Sequence, residues 1–175
     1  MKSLSASALA VALALGTPPS RANTPEPAYE QTRDWVVATI TESAGYTSDS
    51  AVVTYKDVSM DACQLRFTTL TTTPAGYTDT AAFTVSLDSL NHVLWGVAND
   101  PARGYVLFTT VRPITFSRQS AAHVPTRQLR AIDTSTAVAS LEFGRPGSDV
   151  AQTASHMRAA LLRASSLCQV QLASK

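Results

Sequence analysis

Toward the C-terminus the apolar positions recur at helical spacing: Val150, Ala154, Met157, Leu161, Ala164 and Cys168 are separated by four, three, four, three and four residues. Such positions form one stripe of a helix, predicted over residues 148–167. Gly147 and Ser148 open it, with the Ser148 hydroxyl placed as the N-cap and Asp149 at the positive end of the helix dipole. A second helix is predicted to start at Thr24-Pro25-Glu26, read as an N-cap, a first-turn proline and an acidic first turn, and to stop at Gly45. Tyr29, Thr32, Val36 and Ile40 share one side of it. Trp35 lies on the flank and reads as a core anchor.

Between these helices the period falls to two. Val53, Tyr55 and Asp57 alternate with Val52, Thr54 and Lys56. Cys63, Leu65 and Phe67 then take one face of a strand while Gln64, Arg66 and Thr68 take the other, and Phe83, Val85 and Leu87 repeat the pattern. Further strands are predicted at residues 93–98, 105–111, 114–116 and 136–143, with Pro113 marking an edge or a bend. Residues 71–76 and 99–104 have turn composition. Residues 117–130 follow neither period and are expected to form a long loop, the kind of segment that more often carries function than scaffolding. Short turns between consecutive strands imply an antiparallel meander, so the expected fold is α+β: about six short strands with an N-terminal and a C-terminal helix packed on them.

The N-terminus changes the picture of where such a domain works. Lys2, an apolar run over residues 4–15 and Ser20-Arg21-Ala22 read as a secretory signal over residues 1–22. The run is too short to span a bilayer. Residues 23–175 then make a single domain, large enough for its own core. The whole chain has 14 basic and 13 acidic side chains, and Lys2 and Arg21 leave with the signal. Near-neutrality gives no electrostatic reason to expect nucleic acid as a partner. The expected location is periplasmic or secreted. In such an oxidising compartment Cys63 and Cys168 are expected to form a disulfide.

Candidate chemistry is sparse. His92, His123 and His156 stand alone, without the ligand spacing of a metal site, and nothing calls for a cofactor. No G-x-S-x-G elbow accompanies the serines. Asp57 and Asp61 bracket a turn, where hydrogen bonding explains them as well as acid–base work does. Gly144-Arg145-Pro146-Gly147 resembles a phosphate cradle superficially, but Pro146 lacks an N–H and Asp149 already occupies that helix end. The most uneven charge lies between Asp100 and Asp133, an interval with Arg103, Arg112, Arg118, Arg127, Arg130 and His123 and no acid. Arg112, Arg118, Arg127 and Arg130 are therefore candidates for an anion-binding loop. The competing reading pairs them with acids elsewhere in the fold.

Trp35-Val36 with Ile40, Tyr55-Lys56-Asp57-Val58-Ser59 followed by Asp61-x-Cys63-x-Leu65, Val85-x-Leu87-x-x-Leu90, and the closing Leu167-Cys168 together resemble a recurrent exported bacterial module of uncharacterised function. The shared motifs are structural, and the resemblance implies an architecture without an activity. The leading expectation is an exported, non-enzymatic binding domain whose partner is an envelope protein or an anionic glycan. A hydrolase acting on envelope material, or a subunit of an envelope complex, are the alternatives.

Overall fold

The computed structural model describes residues 27–98, 103–121, 132–145 and 147–173. The signal segment, the expected helix start at Thr24-Pro25, and His123, Arg127 and Arg130 lie outside them. In order, the elements are α1 (Pro27–Ser43), β1 (Gly45–Thr47), β2 (Val52–Asp61), β3 (Gln64–Thr72), β4 (Thr78–Ser86), a single 3-10 turn at Leu87–Ser89, β5 (Leu90–Val97), β6 (Gly104–Ala121), β7 (Ile132–Gly144) and α2 (Val150–Ala173). No described helix is long and apolar enough to cross a membrane.

The α+β class is observed, but the sheet is not an open meander. Neighbours run β4-β3-β2-β1-β7-β6-β5, and β4 also pairs with β6. Strands β1, β2, β3, β4, β6 and β7 therefore close on themselves as a barrel, and β5 is added outside on β6. All of these pairings are antiparallel except β1 with β7.

Two features make closure possible. The first is the length of β6, which has 18 residues. Its first half pairs with β5, up to Thr110, and its second half pairs with β4, from Thr115 to Ala121. The change of partner falls at an irregularity between Thr109 and Ile114, where Pro113 removes a ladder donor and Val111 turns out to solvent. Residues 117–121 are thus strand and not the expected loop, because pairing with β4 on one side and β7 on the other overrides a sequence with no period of its own. The second feature is β1, only three residues long, which joins β2 to β7. It was not expected, since three residues are too few to display a period.

The core lies where strands of the sheet meet the two helices. Leu65 and Phe67 of β3, Val85 of β4, Val106 and Phe108 of β6, and Leu141 and Phe143 of β7 meet Val36 and Ile40 of α1 and Met157 and Leu161 of α2 in one buried cluster. Every member of the predicted α2 stripe is buried. So are Tyr29, Thr32, Val36 and Ile40 on α1. Trp35 departs from expectation: it is 40 % exposed, because it sits about 100° around the helix from Val36, the centre of the buried side.

Local corrections have equally local causes. Asp149, not Ser148, caps α2, its carboxylate accepting the Gln152 N–H at 2.9 Å, while Ser148 donates its hydroxyl to the Arg145 carbonyl. Asp57 does not continue the alternation of β2; it occupies a left-handed conformation (φ 52°) in a bulge between Lys56 and Ser59, after which Met60 resumes the buried phase. Cys63 precedes β3, and with Ala62 it forms the two-residue turn between Asp61 and Gln64, both residues having positive φ.

Candidate functional site

That turn is where the halves of the molecule are tied. Cys63 is disulfide-bonded to Cys168 of α2 across 105 residues, with a Cα separation of 5.7 Å that suits an ordinary bridge. Its N–H donates to the Tyr29 hydroxyl of α1 at 3.3 Å, and its carbonyl accepts the Leu87 N–H at 2.8 Å. Both helices and the 3-10 turn are thereby held to one hairpin. Burial raises the Tyr29 pKa above the usual tyrosine value, against the lowering effect of the Cys63 N–H. Arg145, in the turn that enters α2, donates to the Thr41 and Glu42 carbonyls at the C-terminus of α1, a helix end with no cation of its own.

The barrel wall is thinnest where β1 alone spans from β2 to β7. Alongside β1, the seam is crossed by Tyr55, whose hydroxyl accepts the Glu142 N–H at 3.1 Å and donates to the Ser140 carbonyl at 3.5 Å. Beside this phenol opens a cleft of about 300 Å³. Tyr46, Tyr55 and Phe83 give it aromatic surface, while Thr69, Thr71, Ser140 and Glu142 give it polar groups. A ladder of rings backs it: Tyr55 lies 5.8 Å from Phe67, Phe67 stacks on Phe83 at 5.0 Å, and Phe83 on Phe116 at 5.4 Å.

Electrostatically the cleft centres on Glu142. Burial raises its pKa above the ordinary carboxylate range, and Arg103 pulls it only partly back, from 3.8 Å. The same guanidinium lies 4.7 Å from the centre of the Tyr46 ring. Burial likewise pushes the Tyr55 hydroxyl far above its usual value, so it remains a protonated hydrogen-bonding group. A half-buried carboxylate with one long ion pair has acceptor capacity left for a ligand hydroxyl.

The residues proposed from sequence fall elsewhere. Arg112 pairs with Asp88, and Arg118 pairs with Asp79 at 2.9 Å; both lie on β6 and face acids from neighbouring segments. Arg127 and Arg130 are outside the described residues. Among the described residues neither His92 nor His156 has a hydrogen bond to a hydroxyl or a carboxylate, and His123 lies outside them. Among the described residues no three of His, Cys, Asp and Glu converge as metal ligands. Sequence reading missed Tyr46, Thr69, Thr71 and Glu142, which come from three strands, β1, β3 and β7, and share no motif. The one signal available was Glu142, an acid within an otherwise apolar strand ending. Compared with protein-family models, with curated proteins and with solved structures, the chain has no match.

Proposed function

We propose that this chain is an exported, non-enzymatic binding domain and that its seam cleft takes a small polyhydroxylated ligand of the sugar type. The cleft carries the reading: Tyr46 and Phe83 give it aromatic surface and Glu142, Thr69, Thr71 and Ser140 give it polar groups, in a space of about 300 Å³. Sugars present ring C–H faces that pack on aromatics and paired hydroxyls that donate to a carboxylate, and a pocket of this size matches a ligand of one or two rings. The Cys63–Cys168 bridge supports a periplasmic or secreted location. Arg112 and Arg118 already have acidic partners, so the recognition chemistry is assigned to the cleft and not to the β6 arginines.

Backbone-amide NMR titration with neutral monosaccharides and disaccharides tests this. The expected result is saturable shifts at Tyr46, Tyr55, Ser140 and Glu142, weakened at least tenfold by Glu142→Gln. Absence of saturable shifts with every sugar and polyol tried, or shifts clustered away from β1 and β7, would overturn it.

A further inference from the structure

A different observation concerns the outer side of the helix pair. Arg33, Arg66, Arg103, Arg112, Arg118, Arg145 and Arg158 each donate to, or pair with, another protein group. Among the described arginines Arg163 alone has no such partner. It stands at one end of a groove between α1 and α2 with a volume of about 370 Å³. His156 stands at the other end, two turns away on α2, which puts the two side chains roughly 10 Å apart along the axis. Ala159 and Ala160 form a low floor between them, and Trp35 of α1 is the facing wall, 40 % exposed. No carboxylate lines the groove.

We infer that this groove is a second binding site, for a flat aromatic or alicyclic acid that lies between Trp35 and the two alanines with its anionic head on Arg163. Each part has a physical reason. Two alanines in succession leave room for a planar body where larger side chains would close the groove. An exposed indole offers a broad stacking surface at small entropic cost, having few rotatable bonds. An unpaired guanidinium supplies a planar fork of donors matched to a carboxylate, sulfonate or phosphate. His156 offers a hydrogen bond to a polar group at the ligand's far end.

The groove is also held open in advance. Tyr29, just below it on α1, bonds the Cys63 N–H, and Cys168, a little more than a turn beyond Arg163 on α2, is bridged to the same residue. One hairpin turn therefore sets the distance between the two walls, and preorganisation of this kind reduces what binding must spend on ordering.

The test uses Trp35 as its own reporter. In a Trp95→Phe background, naphthalene-2-sulfonate is titrated while indole fluorescence is followed, alongside 2-naphthylmethanol, which has a similar ring system and no charge. The indole N–H signal of Trp35 in the unaltered chain gives the same reading by NMR should that background be poorly folded. The expected result is saturable binding of the sulfonate, at least tenfold weaker for the neutral probe and at least tenfold weaker in Arg163→Gln. Equal affinity for the two probes, an unchanged affinity in Arg163→Gln, or no saturable response would each overturn the inference.

Discussion

At the scale of single residues, Glu142 shows most directly how this fold sets a local charge against its own stability. Its pKa is raised by burial, so the folded chain holds the proton more tightly than the unfolded chain does. The sign follows by linkage: stability is greatest with the group protonated, and is lost as pH rises from the ordinary carboxylate value of 4.5 through the raised folded value. Glu142→Gln removes that penalty while keeping the shape. We expect its thermal midpoint at pH 7 to exceed that of the unaltered chain by up to a few degrees, since ~1 kcal/mol moves a domain of this size by ~2–4 °C. Below the ordinary carboxylate range the two midpoints should converge. Paired with the ligand test above, the variant separates roles: a cleft used for binding gains stability and loses affinity together. A midpoint that falls at pH 7 would show that the Arg103 contact outweighs burial.

Elements respond to a different kind of change, in which one backbone position decides whether two of them can meet. Gly45 leaves α1 with φ of 109° and immediately pairs with Thr54 of β2 and Phe143 of β7. A Cβ placed there would lie 2.5 Å from the Val53 carbonyl oxygen. Positive φ and a backbone collision act together, so Gly45→Ala should destabilise by ~2–4 kcal/mol, read from urea denaturation. Because β1 bridges β2 and β7 at the seam, amide exchange should rise first on β1 and along β7 near Glu142. A uniform rise over all strands would mean that the barrel opens only as a whole.

For the whole molecule, the bridge between Cys63 and Cys168 spans most of the described chain, its ends separated by 105 positions in the sequence. A loop of that length is worth ~4.7 kcal/mol in the chain-entropy model, and loss of native bridges generally costs ~2–5 kcal/mol. The double variant Cys63→Ser with Cys168→Ser should lose that much in urea. Reductant should bring the unaltered chain to the same midpoint while leaving the double variant where it was. If the double variant matches the oxidised chain, hydrophobic packing of α2 alone secures the helix, and the bridge is incidental to stability.

Much of this architecture is legible residue by residue. The α2 stripe, the inward side of α1, and the faces carrying Leu65, Phe67 and Val85 follow from spacing, because burial against a core imposes the period of the local backbone. The cysteine pairing follows from count, since the chain has only two cysteines. Trp35 misleads for an equally simple reason: composition says that an indole belongs in a core, while its angle around α1 says that it lies beside one. The cleft is far less visible, since Tyr46, Thr69, Phe83 and Glu142 converge only through strand register.

The amino-acid sequence by itself determined the two helices, most of the strands, the sides they bury and the identity of the bridged cysteines. These depend on local periodicity and on the number of groups available to pair. Only the tertiary structure decided that the sheet closes, that β6 exchanges β5 for β4 at its bend, and that Arg118 faces Asp79 from a strand. It also decided where a carboxylate is left half-buried and where, among the described residues, one arginine is left without a partner. Those outcomes depend on contacts between residues far apart in the chain, whose geometry is set by loop closure and strand register, and no local pattern encodes them.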